Sequence, residues 1–563
     1  MKKLMEKETR EKFLYAAAFI FSALLLFYKI YPVIMAVHDD MRIYTLVRGG
    51  ELWKNAIHSA KQGRISHLWN HLLLGFPFIL NKIWFYKLVS FSTYLFDIWA
   101  MWLFVRSHID KGFANLCAVA AVAFSSLTPS HNLLVSYAFC HQLPIGLLFL
   151  SLHFFMKSFD TGKKRDTLLS CLFLLLSCMI YEAFVAALIL YGAAAMLKLK
   201  TDDKNYLSYI FTAVAKIVPQ IITAAAYVGV YFTWRHFYPS YYGGTELCLK
   251  TPFTSLKALV TYSLSYFPVN GLLYRNDENP ISMSDFIECL SAASVIKALL
   301  VAAAFALLVR KISQKLDFKG NLFIAFLGIF VPNIVISVSK QYLDWSIKGT
   351  KSYLSSFYSY LFLIIFLCGI SCAAYRLFKG RNVRITFLAV MSAAVFFVCL
   401  SADALTNIWR VHYDRLSIRY RNFDEAVSSD EIVSCDGGWQ IYAPDNQGIH
   451  LLETYTLDYI RIYDDTPASV YVSEAAELEK EKKTVCMRSP ENYQLMVIGN
   501  VDEALCAESV TVESILPNTF DVVLCTADGE KRVFEDVKDD DVLSCPDGSM
   551  IDMSVRVMSS VSD

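Results

Sequence analysis

The chain has 563 residues, with 52 Lys plus Arg against 52 Asp plus Glu, and is 55% hydrophobic, 14% aromatic and only 18% charged. Its mean hydropathy is +0.40. These values exclude a disordered chain, a coiled coil and a basic nucleic-acid binder, and they fit a multi-span membrane protein provided the apolar residues are clustered.

They are clustered, and the neutrality is the sum of two unlike parts. Residues 402–563 hold 13 Lys/Arg and 32 Asp/Glu, a net of −19, which leaves +19 on residues 1–401. The sequence therefore divides into an apolar, basic region 1–401 and an acidic region 402–563.

A hydrocarbon core about 30 Å thick needs roughly 20 apolar residues of helix. Windows at 13–36, 83–105, 113–128, 136–156, 206–235, 291–309, 320–338, 353–375 and 385–401 meet or approach that length. The first is too long for a cleavable signal and has no small-residue cleavage site after it, so it reads as a retained signal-anchor. The run 167–197 is too long for one perpendicular span, and Tyr181-Glu182 interrupts it, which predicts two short spans folding back at Glu182.

Parity then gives eleven spans with a cytoplasmic N-terminus. Every segment assigned inside is basic, from Lys2, Lys3, Lys7, Arg10 and Lys12 at the start to Arg376, Lys379, Arg381 and Arg384 near the end. One span at 167–197 would send the last two basic loops outward, against the positive-inside rule. On this topology residues 37–82, short turns near 129–135 and 182, loops 236–290 and 339–352, and the acidic tail lie outside.

The first outer loop carries the most chemistry. Asp39 and Asp40 follow the first span directly, with Arg42 and Arg48 close behind. Leu52, Trp53, Ala56, Ile57 and Ala60, then Ile65, Leu68, Trp69, Leu72 and Leu73, predict two amphipathic interfacial helices joined at Gly63-Arg64. Acids tight against hydrocarbon are costly and tend to be functional, which favours a working role for the pair over a solvated helix cap. Adjacent residues point in different directions, so one acid would act as a base while the other orients it or holds a cation. Arg64 reads equally as a bidentate phosphate ligand or as a snorkelling side chain. Glu182 reads equally as a functional acid or as an exposed turn. Lys340, Trp345, Lys348 and Lys351 form a second outward cationic group, suited to an anionic ligand at the membrane surface. The tyrosines of loop 236–290, among them Tyr238, Tyr241, Tyr242, Tyr262, Tyr266 and Tyr274, read first as an aromatic belt and second as a sugar platform.

Taken in order, Asp39-Asp40 after the first span, Arg42, Gly63-Arg64 between interfacial helices, and Tyr181-Glu182 at a turn between short spans resemble the GT-C class of membrane glycosyltransferases over roughly residues 10–400. Within that class the likeness is to serotype-converting, glucosyltransferase II-like bacterial proteins. Glu182 departs from the amide expected in many relatives. The resemblance implies a GT-C-like helical membrane fold and a sugar donor on a polyprenyl phosphate. It also implies inverting transfer to a cell-surface glycan on the outer face of the cell membrane. Asp39 or Asp40 would be the general base, while Arg42, Arg64, Lys340 or Lys348 would stabilise the leaving phosphate. A divalent cation, Mg2+ or Mn2+, on the two acids is left open.

In the tail, Trp439–Tyr442, Ser469–Val472, Tyr493–Ile498 and Val522–Leu524 alternate between turn signals, which predicts a β-rich extracytoplasmic domain with one helix near 474–483. Cys435, Cys486, Cys506, Cys525 and Cys545 allow up to two disulfides. Asp539-Asp540-Asp541 reads as a solvated turn, because it lacks the spacing of a calcium loop. Two rival functions remain: a flippase for lipid-linked sugars, and a non-catalytic envelope-polymer assembly factor. The first would need internal repeats, which the sequence lacks, and mid-membrane charges, of which it has few: Lys29, Asp97, Lys216 and Lys297.

Overall fold

The apolar windows fold as helices. The computed structural model describes residues 2–34, 37–80, 82–128, 131–199, 206–240, 242–248, 251–273, 283–313, 320–350 and 352–427, followed by short stretches between 439 and 558. Tyr241, Tyr274, Lys351, the helix expected near 474–483, Cys435 and Cys545 lie outside the described residues. The chain forms two compact units: residues 1–32 with 53–410, and residues 33–52 with 411–563.

The first unit opens with α1 (Lys2–Ile30); α2 (His38–Arg48) belongs to the second. There follow α3 (Leu52–Ala60), α4 (His67–Gly75), α5 (Ile83–His108), α6 (Lys111–Ala123), α7 (Leu143–Thr161), α8 (Lys164–Ile180), α9 (Leu188–Lys198) and α10 (Tyr206–Phe237). Then come α11 (Pro252–Leu264), α12 (Pro268–Leu273), α13 (Met283–Glu288), α14 (Ala292–Ile312), α15 (Asn321–Phe330), α16 (Ile334–Ser337), α17 (Lys340–Ile347), α18 (Leu354–Leu377) and α19 (Arg381–Val427). Among the described residues 7 helices are long and apolar enough to cross a membrane, with shorter apolar helices at Lys111–Ala123 and Asn321–Ser337. The chain is thus a multi-pass membrane protein by the length and composition of its helices.

The run 167–197 does fold back. α8 stops at Ile180, Tyr181 is extended (φ −140, ψ 100), and a 3-10 turn over Glu182–Ala187 leads into α9. The far ends meet again: Lys198, last in α9, binds Asp160 at 2.7 Å, and Asp160 lies two residues before the left-handed Gly162 at the turn into α8. Midway, Ser151 of α7 reaches Ser170 of α8 and Tyr191 of α9, each at 2.5 Å.

Two ends of the bundle are chemically distinct. At one, His108 Nε2 lies 3.2 Å from His153 Nδ1, and Asn321 donates to the His108 carbonyl at 3.4 Å, gathering the ends of α5 and α7 with the start of α15. Arg106 and Lys157 sit on the ends of α5 and α7, Lys111 at the start of α6 beside the end of α5, and Lys198 at the end of α9 paired with Asp160 of α7, so these basic residues collect together. The other end is aromatic and is described below.

The window 136–156 starts later than expected. Residues 131–142 form an irregular connection, and α7 begins only at Leu143, where Pro144 occupies its first turn. Asn132 and Gln142 hold the connection: the Asn132 carboxamide bonds Ser126, Thr128 and Leu134, and that of Gln142 bonds Ser90, Leu133 and Phe139.

Residue 402, where the composition changes, lies inside α19, a continuous helix of 47 residues and roughly 70 Å. Beyond it a five-stranded sheet joins residues 439–442, 470–472, 483–486, 497–500 and 513–514, the first three strands parallel and the rest antiparallel. In a four-stranded antiparallel sheet, Cys506 and Cys525 pair with Asp552 from opposite sides. Two strand spacings put their Cα atoms about 10 Å apart. That is beyond the reach of a disulfide, which removes this pairing from those the sequence left open.

Candidate functional site

The sequence-derived acids lie in the second unit. Asp39 and Asp40 occupy the first turn of α2, where the helix dipole favours negative charge, and Arg42 falls in the same turn of chain. Asp40 is buried and Asp39 half-buried. Consecutive side chains on a helix diverge by about 100°, so the two carboxylates do not converge on one point. Among the described residues no group of three His, Cys, Asp or Glu side chains is placed to hold a metal ion. A Mg2+ or Mn2+ here would be held by one of these carboxylates, with water and substrate phosphate oxygens completing its shell.

Arg64, Glu182, Lys340 and Lys348 lie in the first unit, and the structure separates them into two kinds. α3 ends at Ala60, whose carbonyl accepts the Trp234 indole N–H at 2.8 Å. Gly63 then turns with φ +85, a conformation that favours glycine. A Cβ there would also stand 2.6 Å from Ser240 Cβ and 2.7 Å from the Tyr238 carbonyl oxygen. The glycine is what lets the 238–240 backbone close over the turn, and the next residue, Arg64, is aimed by it.

The Arg64 guanidinium stacks over the Tyr242 ring with its carbon 4.5 Å from the centroid. Its Nε is sealed from solvent with no hydrogen-bond partner, and among the described residues Arg64 makes no ion pair. Burial works against its charge; the field of Glu182, followed by Tyr242, Tyr342 and Tyr353, more than offsets that and holds the group above its ordinary value. Glu182 reaches this neighbourhood because α4 clamps the end of α8. Trp69 Nε1 donates to the Met179 carbonyl at 2.7 Å and Asn70 Nδ2 to that of Ile180 at 3.1 Å, just before the Tyr181-Glu182 turn.

A chain of phenols adjoins Arg64. The hydroxyls of Tyr242 and Tyr342 lie 2.9 Å apart, and those of Tyr342 and Tyr353 3.0 Å apart. Tyr262 donates to the Tyr342 carbonyl at 2.7 Å, which fixes α17 against α11. Burial pushes the Tyr342 hydroxyl well above the usual range, so it stays neutral and able to donate. Beside Tyr353 stands His131, 5.3 Å between ring centroids, and His131 stacks on Trp345 at 5.8 Å. Tyr137, His141, Tyr181 and Tyr358 continue the cluster at 5.4–6.2 Å spacings. His131 and Tyr137 have positive φ of 50 and 51, and Phe139 67. Non-glycine residues held there cost of order 1–3 kcal/mol each and gather at functional sites.

The two outward lysines are different. Lys340 Nζ is 3.0 Å from Glu246 Oε2, and both side chains are more than half exposed (59% and 55%). Lys340 is therefore a surface cation already neutralised. Lys348, at the C-terminal end of α17, is exposed and makes no ion pair among the described residues.

Sequence reading missed Tyr353, whose field acts on Arg64, and the rings of His131, Tyr137, His141 and Tyr358 that continue the cluster from it. His131, Tyr137 and His141 sit in what read as a short turn and the start of a span, and Tyr353 and Tyr358 in what read as the span 353–375. Their density of ring and imidazole groups was the available signal.

No protein-family model matches the chain, and no curated protein matches it. Among solved structures it is similar to the oligosaccharyltransferase of Archaeoglobus fulgidus in the apo form, at 11% identity and a TM-score of 0.34. The similarity covers 76% of this chain and 62% of that one, so the chain spans less than two thirds of its solved neighbour.

Proposed function

We propose that the protein is a GT-C-like integral-membrane glycosyltransferase that moves a sugar, a hexose such as glucose, from a polyprenyl phosphate to a cell-surface glycan. The observation that carries this reading is the Arg64 guanidinium, stacked on Tyr242 with its Nε buried and unpartnered. A guanidinium whose Nε is sealed from water without an acceptor is costly, and a ligand phosphate would supply both charge and acceptors. The membrane-crossing helices and the phenol-rich surroundings fit a lipid-linked donor with a sugar head.

In this reading the carboxylate of Asp39 or Asp40 takes the proton of the acceptor hydroxyl. The hydroxyl oxygen attacks the anomeric carbon as the bond from that carbon to the phosphate oxygen breaks. One displacement inverts the anomeric centre and needs no covalent enzyme intermediate. Negative charge gathers on the departing lipid phosphate, where Arg64 donates from Nε and one Nη. Glu182 helps to keep the guanidinium charged through its field. Transfer takes place on the extracytoplasmic face, with the N-terminus cytoplasmic and the acidic tail exported.

The test is the full chain in liposomes supplied with a polyprenyl-phosphate hexose and an acceptor glycan, comparing Asp39→Asn, Asp40→Asn and Arg64→Met with the parent. Transfer is expected to fall by about 10²–10³-fold in Arg64→Met and in at least one Asp variant. Full transfer by both Asp variants would remove the base, and translocation of donor without turnover would establish the flippase instead.

A further inference from the structure

At the basic end of the first unit, α1, α5 and α6 do not close on one another. They leave a cavity of about 550 Å³, within the range that holds small ligands. Its walls are three helical stripes: Lys12, Tyr15 and Phe19 on α1, Trp99 and Trp102 on α5, and Asn115 on α6. The small Ala16 and Ala118 make the room. The cavity opens sideways from the bundle, for Ile20 and Trp99 on its rim are 53% and 47% exposed.

The charge is concentrated at one end of the groove. Lys12 lines it and is exposed. The Arg106 guanidinium sits 4.8 Å over the Trp102 ring, so Trp102 packs its face against a cation while its edge borders the groove. Trp102 Nε1 donates to Asn115 Oδ1 at 2.8 Å. That bond turns the Asn115 carboxamide, and among the described residues its NH2 has no protein partner. An apolar slot between membrane-crossing helices, with two cations and an amide donor at its mouth, matches a lipid whose headgroup is anionic.

We infer that this groove is a binding site for an anionic phospholipid, with an acyl chain along Phe19, Trp99 and Trp102 and the phosphate between Lys12, Arg106 and Asn115. It is separate from the Arg64 cluster and does not depend on the proposed transferase activity. A neutral lipid would bring no net negative charge to the mouth of the groove, and an apolar protein helix would bring none and would bury the Arg106 guanidinium.

The full-length protein in detergent is offered equal amounts of phosphatidylglycerol and phosphatidylcholine and analysed by native mass spectrometry. One phosphatidylglycerol is expected to be retained several-fold over phosphatidylcholine. Lys12→Gln with Arg106→Gln should abolish the preference, and Lys157→Gln, at the same end but off the groove, should keep it. Ile20→Trp, which fills the groove with both cations intact, should lower retention of either lipid. Equal retention of the two lipids by the parent, or an undiminished preference in the double variant, would overturn the site. Should the variants fail to purify, the parent alone decides: acyl-brominated phosphatidylglycerol should quench tryptophan fluorescence in vesicles more than brominated phosphatidylcholine. Equal quenching would sink the inference.

Discussion

The first unit contains two cationic centres, one buried and one half-buried, that are handled in opposite ways. Lys29 of α1 and Lys297 of α14 share Asp403 of α19, at 3.4 and 2.7 Å, and all three side chains are at most 5% exposed. Lys29 also reaches Ser294 Oγ and the Asp403 carbonyl, both at 3.4 Å. Arg64, by contrast, has an aromatic face beneath it and no hydrogen-bonded counter-ion among the described residues. Buried charges are paired where their purpose is structural, so the first centre reads as a tie among three helices; the second is where the proposed phosphate would bind.

The sharpest way to break this comparison is to remove the counter-ion from the paired centre. Asp403→Asn leaves two lysines facing each other in the bundle, and breaking a buried ion pair costs about 3–5 kcal/mol. A large fall in the detergent melting temperature and loss of monodispersity are expected; an unchanged melting curve would show that the three residues do not tie the bundle. Arg64→Met makes the converse change. It removes a cation that has no hydrogen-bonded acid but sits in the field of Glu182, so a fall in melting temperature smaller than that of Asp403→Asn is expected while transfer is lost. Arg64→Lys should not rescue transfer, because an ammonium supplies neither the planar fork nor the stacking on Tyr242. Recovery of activity with Lys would mean that charge alone suffices.

Gly63 separates aim from charge. Gly63→Ala keeps Arg64 but places a methyl 2.6 Å from Ser240 Cβ at φ +85. A cost of about 1–3 kcal/mol is expected, with transfer falling more than stability does, since the turn directs Arg64. Equal transfer by the parent and the variant would detach the guanidinium from the chemistry. Tyr342→Phe should do less: it removes the shared member of the phenol chain, worth about 1 kcal/mol per hydrogen bond, and leaves the rings packed.

How far the sequence foretold these centres depends on the range of the interactions. The break at Tyr181-Glu182, the helices at 52–60 and 67–75 and the Gly63-Arg64 corner were all legible, because a charged interruption, a helical apolar period and a glycine are local signals. Asp403 was not: one residue past the composition boundary, it counts toward the acidic tail, yet it folds as the counter-ion of Lys29 and Lys297, 374 and 106 positions away. Lys29 and Lys297 were visible as charges within spans, but nothing local names their partner. The aromatic cluster around Arg64 was hidden for the same reason, since Tyr353 and Tyr358 read as ordinary span residues until α18 is set beside the 131–142 connection. The partner of Lys340 was not legible either: as a sequence feature it is an outward cation, and only the fold brings Glu246, 94 positions distant, beside it.

That last pair gives the smallest effect and the finest test. Lys340→Gln removes an exposed cation already answered by Glu246, so transfer and stability should be unchanged within error. Lys348→Gln removes an exposed cation that no acid answers among the described residues. It is too far into solvent to order a ligand, but it adds to the field that draws an anionic lipid headgroup toward the surface. Its loss should raise the donor KM modestly at low ionic strength with kcat intact, and the difference should vanish near 1 M salt, where the screening length is about 3 Å. If Lys340→Gln shows the larger, salt-independent loss, then the Glu246 pair opens during turnover and Lys340 belongs with Arg64 among the groups that hold the phosphate.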